Sequence, residues 1–375
     1  METGKTLRLG EVFVGIPDPR QGTKVLHDLV EVLVVAVCGV LVGADTFVEI
    51  EEWAEDNLEW LRRHLTLEHG IPSHDTFGRV FATLDAAQFG AAFQRWVSTI
   101  LKSLPKGEVV AIDGKTSRRS GGVGGTPLHM VSAFAAGANL VLGQCATAEK
   151  SNEKTAIPEL LATLALEGCI VTIDAMGTQP SIAQAIRERR ADYILSVKDN
   201  QPILAEAMRD FFAAFLATPH KTPHQFNEMI DKDHGRLEVR RAYVFDQLDC
   251  LPTPERWPDL KSFGVIVSER TLKDQTSVEH RYYISSLDPD AARLNHAVRQ
   301  HWSVETRLHW CMDVVFNDDQ MRARTDHAAH NLSVVRHFAL NLIRHNPDKR
   351  KGSLKVQRLR AASNIEYREM ILGLL

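Results

Sequence analysis

Two β-branched runs each close on a carboxylate. They are Val109-Val110-Ala111-Ile112-Asp113 and Cys169-Ile170-Val171-Thr172-Ile173-Asp174. Apolar runs of this length read as buried strands. A carboxylate at the end of such a run is costly unless a cation or hydrogen bonds compensate it. The chain must therefore build a sheet that tolerates negative charge at one end. Either aspartate alone is more commonly a turn or helix-capping residue, so the pair matters only if the fold brings both to one place.

The intervening sequence says that it does. A Gly-rich turn over 121–125 leads into a strand over 128–134, and Gly137-Ala138-Asn139 leads into another over 140–147. Three strands with short connections predict an antiparallel meander. A helix over 158–166 follows, with Pro158 in its first turn, where no helical N–H is lost. The strand ending at Asp174, a helix over 180–190 and a strand over 193–197 come next. This order predicts an α/β fold with a ribonuclease-H-like mixed sheet. In it the first and fourth strands are neighbours, and Asp113 and Asp174 face each other.

Residues 1–104 read as an all-α region. Helices are expected over 29–42, 46–65, from Ser73 or Asp75, and from Asp85 to Pro105. Residues 105–221 form the first part of the core, and 222–286, where short β-type runs alternate with Gly, Pro and Asp, a mostly β insertion. Residues 287–345 return to the core with a long helix through about Val315 and another over 326–345. Residues 346–375 form a basic tail, expected to be exposed, that includes Lys349-Arg350-Lys351, Lys355, Arg358 and Arg360.

Charge follows these divisions. The whole chain carries −4, an unpromising balance for a nucleic-acid protein. Residues 1–104 hold 9 Lys+Arg against 15 Asp+Glu, 105–285 hold 21 against 23, and 286–375 hold 14 against 10. The last quarter is the basic one. The most apolar stretch, 32–42, falls short of the ~20 residues a membrane span needs. The start has no secretion-signal pattern. The five cysteines are widely spaced, which fits a reducing cytoplasm and argues against a disulfide framework.

A third carboxylate, Glu305, lies in His301-Trp302-Ser303-Val304-Glu305-Thr306-Arg307-Leu308-His309-Trp310. On a regular helix His301, Glu305 and His309 share one face. Three readings fit: a zinc site, which lacks the H-E-x-x-H spacing; the last carboxylate of a two-metal site, with the histidines at phosphate or water; or a solvated polar face over buried tryptophans. Lys115, in Gly114-Lys115-Thr116, is either a phosphate contact or a solvated lysine. Its distance from Gly107 is wrong for a P-loop. Lys198 ends a strand near the same sheet end as the two aspartates, where it is either a phosphate contact or part of a turn.

These motifs resemble bacterial insertion-sequence transposases of the DDE type, the group that includes the H-repeat-associated proteins. The resemblance is carried nearly end to end. It runs through Ile16-Pro17-Asp18-Pro19-Arg20, Gly70-Ile71-Pro72-Ser73-His74-Asp75-Thr76-Phe77 and Ile112-Asp113-Gly114-Lys115-Thr116. It continues through Glu149-Lys150-Ser151-Asn152-Glu153, Thr172-Ile173-Asp174-Ala175-Met176-Gly177, Arg281-Tyr282-Tyr283-Ile284-Ser285-Ser286-Leu287 and the Glu305 block. The resemblance implies that Asp113, Asp174 and Glu305 form the catalytic triad and hold two Mg²⁺ or Mn²⁺ ions. It implies cleavage and strand transfer on DNA, with terminal inverted repeats and target DNA as partners and a homodimer in the synaptic complex. The protein would be cytoplasmic, nucleoid-associated when bound. Lys115, Lys198, Arg299, His301, Arg307, His309, Arg322 and Arg324 are candidate DNA contacts, as is Arg344. Departures are Thr306 where the family usually has Asn, Asp318-Asp319 in place of Glu-Asp, and His301 and Met312 where related enzymes carry Arg and Lys. The alternatives are a silent DNA-binding relative and a two-metal nuclease without strand transfer.

Overall fold

The computed structural model describes residues 9–20, 25–121, 125–147, 153–233, 236–272, 275–348 and 352–374. The Glu149–Asn152 part of one motif, part of the 121–125 turn and Lys349–Lys351 lie outside them.

The N-terminal region is helical: α1 (Leu9–Phe13), α2 (Leu29–Val42), α3 (Phe47–Asp56), α4 (Leu58–Leu61), α5 (His74–Thr83) and α6 (Ala86–Ile100). Caps set the boundaries. Thr46 and Glu49 form a reciprocal capping box on α3. Ser73, rather than Asp75, caps α5, and Asp85 caps α6. The single helix expected over 46–65 breaks at Asn57, whose side chain donates back to the carbonyl of Trp53. The short α1 had no periodic signal.

The core strands are β1 (Val109–Thr116), β2 (His129–Ala135), β3 (Leu140–Thr147), β4 (Ile170–Ile173) and β5 (Asp192–Val197). The first three form the antiparallel meander, and β1, β4 and β5 run parallel. This is the ribonuclease-H-like mixed sheet. Between the strands lie α7 (Glu153–Ala162) and α8 (Pro180–Glu188). The expectation for α7 is corrected: the helix starts five residues earlier and stops four earlier. Pro158 therefore sits inside it, because buried Glu153, Ala156, Ile157, Leu160 and Leu161 fix the helical face.

After α9 (Pro202–Ala217) come β6 (Gln225–Asp233), β7 (Arg236–Phe245), β8 (Ser262–Leu272) and β9 (Gln275–Ser285). They form an antiparallel meander whose last strand pairs with β5, so the nine strands make one sheet in the order β3-β2-β1-β4-β5-β9-β8-β7-β6. Across it runs α10 (Ala291–Val304), which passes into a π-helical turn, Glu305–His309, and then α11 (Trp310–Val314). The long regular helix expected here is thus interrupted at its central carboxylate.

Helix α12 (Ala328–His345) ties the two ends of the chain together. Its Phe338 ring packs against Phe13, Phe89, Phe93 and Trp96. The tail is not loose. It folds into α13 (Leu354–Ser363) and α14 (Ile365–Ile371), and Arg358, expected to be exposed, is 6% accessible. Its guanidinium donates to the carbonyls of Val40 and Val315 and pairs with Asp45 at 3.0 Å, so its charge is satisfied inside the protein. Among the described residues no single helix is long and apolar enough to cross a membrane.

Candidate metal centre and nucleic-acid face

Strand register builds the centre. In the parallel β1–β4 pair Ile112 lies opposite Ile173, so Asp113 and Asp174 follow side by side at the same end. Asp174 caps a one-turn helix, its Oδ1 accepting from the amide of Met176 at 3.0 Å. Glu305 and His309 come down from the π-helical turn. His309 Nδ1 lies 3.6 Å from Asp113 Oδ2 and 3.4 Å from Glu305 Oε2. Asp113, Glu305 and His309 each offer a ligand atom, all within 4.8 Å of one another.

The electrostatics favour a cation there. Burial is the main force pushing the Asp113 carboxyl up to about 6. His309 opposes it, and the negative charges of Glu305 and Asp174 add to it. Glu305 shifts the other way, held below its usual range chiefly by a hydrogen bond from His309. Among the described residues, His309 Nε2 is buried with no hydrogen-bond partner. A crowd of oxygen donors with an imidazole suits a divalent ion, and the residues fit one.

The neighbours of Asp113 in Asp113-Gly114-Lys115-Thr116 have distinct tasks. A Cβ on Gly114 would lie 2.3 Å from Glu153 Oε1 and 2.5 Å from His129 Nε2, so only glycine lets that pair cross the strand. His129 Nε2 and Glu153 Oε1 are 2.6 Å apart, and Thr116 Oγ1 lies 2.8 Å from His129 Nδ1. Lys115 is not free for a phosphate. Its ammonium lies 2.6 Å from Asp313, 3.0 Å from Asp318 and 3.5 Å from Asp319.

The other candidate contacts divide. His301 is buried, with Nδ1 3.0 Å from the Thr172 hydroxyl, and burial pushes it down to about 4, so it is neutral and turned away from solvent. Its i, i+4 spacing from Glu305 put it on the helix face that meets the sheet. Arg344 is mostly buried and reaches the Arg307 carbonyl in the π turn. Arg299, Arg307, Arg322, Arg324 and Lys198 are exposed. Arg299 lies 3.8 Å from Asp231, Arg307 donates to the Ala136 carbonyl, and Arg324 to that of Arg119. Sequence reasoning missed the π turn and the carboxylates around Lys115. The only signal for the latter was the acidic run Asp313, Asp318, Asp319.

Known proteins match along nearly the whole chain. Residues 10–97 match the family described as DDE_Tnp_1-associated and residues 104–342 the family described as Transposase DDE domain. The protein named "Putative transposase YncI" of Escherichia coli O157:H7 is 41% identical over 369 residues, 96% of this chain and 92% of its own length. "H repeat-associated putative transposase YhhI" of Escherichia coli K12 is 38% identical over 370 residues, 96% of both chains. A 64-residue stretch is 42% identical to "Inactive transposase YbfQ" of the same strain, 17% of this chain and 76% of that one. The cryo-EM structure of a piggyBac transposase synaptic complex with hairpin DNA overlaps with a TM-score of 0.43 at 12% identity. It covers 97% of this chain and 76% of that one, a likeness too slight to bear on function. Because the family matches run through the helical region and bracket all three carboxylates, the chain belongs to the DDE transposase family.

Proposed function

We propose that the protein binds the two ends of an insertion sequence and catalyses metal-dependent strand cleavage and strand transfer, with Asp113, Asp174 and Glu305 as the catalytic carboxylates. The observation that carries this reading is the convergence of Glu305 and His309 on Asp113 beside Asp174, at the shared end of two parallel strands. Two divalent ions, Mg²⁺ or Mn²⁺, held by the three carboxylates would polarise the scissile phosphate and stabilise charge on the attacking and departing oxygens. Asp113, flanked by Asp174 and Glu305, would hold the ions together with those two carboxylates. His309 Nδ1 stands between Asp113 and Glu305, within 3.6 Å and 3.4 Å of their carboxylate oxygens.

The exposed cations Lys198, Arg299, Arg307, Arg322 and Arg324 are assigned to DNA phosphates, which makes binding salt-sensitive. Joining two ends to a target calls for a homodimer, each subunit gripping one terminal repeat.

The test is incubation of the protein with duplexes carrying its element's terminal repeats and Mg²⁺. Nicked ends and joined products are expected, and neither from Asp113→Ala, Glu305→Ala or a reaction in chelator. Cleavage surviving any of these three conditions refutes the assignment. Nicks without joined products would leave a nuclease, and retention of DNA without either product a silent binder.

A further inference from the structure

Asp113 and Lys115 are two residues apart on β1, so their side chains leave the same face of the strand. Opposite them the helix carries Glu305, His309 and Asp313 at successive intervals of four. On an uninterrupted α-helix Asp313 would be rotated about 80° away from Glu305. A π turn accommodates one extra residue, taking up about 100°, and brings the two back to within about 20° of each other. The turn over Glu305–His309 therefore lets one helix face meet both ends of the strand segment, with Glu305 and His309 at Asp113 and Asp313 at Lys115.

A π turn forfeits α-helical hydrogen bonds and persists only where its surroundings over-determine it. On one side, Arg344 donates to the Arg307 carbonyl and the Cys311 thiol to that of Thr306. On the other, Lys115 holds Asp313 at 2.6 Å. Its second partner, Asp318, is fixed in turn by Arg336 at 2.6 Å and by the Ser117 hydroxyl at 2.6 Å. The Lys115 side chain is only 13% exposed.

We propose that Lys115 is a positioning residue: through Asp313 and Asp318 it holds the catalytic helix in the π-helical register that sets Glu305 against Asp113, and so tunes the affinity of the metal centre. This rests on the metal-centre reading given above.

The experiment uses the full chain without DNA. Mn²⁺ binding is measured by titration calorimetry for the parent, Lys115→Met, Lys115→Arg, Asp313→Asn and Asp113→Asn, with a thermal melt of each. Lys115→Met is expected to bind Mn²⁺ at least tenfold more weakly, Lys115→Arg to recover most of the loss, and Asp313→Asn to weaken binding at least threefold. DNA cleavage by Lys115→Met should recover partly at saturating Mn²⁺. Should Lys115→Met lack a cooperative melt, Asp313→Asn, which leaves Lys115 two carboxylates, carries the test. Asp113→Asn losing Mn²⁺ while folded Lys115→Met and Asp313→Asn both bind within twofold of the parent overturns the proposal and spares the metal centre. A parent that binds no Mn²⁺, or an Asp113→Asn that binds like the parent, removes the centre and the proposal together. Unchanged Mn²⁺ affinity with weaker, less salt-dependent DNA binding in Lys115→Met would make Lys115 a phosphate contact instead.

Discussion

Replacing Asp318 by Asn should destabilise the protein by an amount that depends on pH. Burial alone would favour the protonated acid, but Arg336, Lys115 and the Ser117 hydroxyl outweigh it and hold Asp318 down to about 2 from 3.8. At roughly 1.4 kcal/mol per pH unit, that difference makes ionised Asp318 worth about 2 kcal/mol of folding stability. The contribution is complete above the unfolded value near 3.8 and is lost as pH falls through the folded value near 2. Substitution costs more than protonation, because Arg336, 1% exposed, loses its carboxylate and stays buried. Stripping one partner from such a pair costs about 3–5 kcal/mol. For a chain of this size, at about 1.3 °C per kcal/mol, that is about 5 °C in melting temperature. Thermal melts followed by circular dichroism at pH 7.5 and in steps down to pH 2.5 measure both quantities. The parent and Asp318→Asn should differ by about 5 °C at neutral pH, and the gap should narrow by roughly half below pH 3. A neutral-pH difference under 2 °C, or a gap that stays constant on acidification, would refute the reasoning.

Four further outcomes are expected. Asp113→Asn should melt no lower than the parent without metal, since it removes a carboxyl whose ionisation is opposed by burial and by Glu305 and Asp174. Millimolar Mn²⁺ should raise the melting temperature of the parent but not of this variant, and an equal rise in both would contradict the ligand assignment. Gly114→Ala should give insoluble protein or a loss of at least 3 kcal/mol by urea unfolding, because its Cβ would overlap the Glu153–His129 pair, whose members are fixed by each other. Arg358→Met should cost about 3 kcal/mol by the same assay, against near zero for a solvated tail residue.

Much of this was legible in the sequence because local signals and tertiary demands agree. The boundaries of α2 and β3 are those the periodicity and turn residues predict. The neighbouring placement of Asp113 and Asp174 follows from strand order alone. The losses have specific causes. The π turn is contacted by Arg344 from α12, and Asp313 just beyond it by Lys115 from β1; such distant partners leave no periodic trace over 305–309. Lys115 and Arg358 read as surface cations because a single sequence displays charge without its partners. Asp318 lies 203 residues from Lys115, and Val40 lies 318 from Arg358.

The aromatic cluster around Phe338 has a consequence for synthesis. Phe13 and Phe338, from the first and last thirds of the chain, share a core. The N-terminal helices cannot bury their apolar faces fully until α12 has left the ribosome. Contacts of such sequence separation form slowly, and the waiting helices are exposed to aggregation and proteolysis. A chain cut short before α12 should yield no stable N-terminal fragment. Premature termination would then clear the product entirely, leaving no folded half of the protein behind.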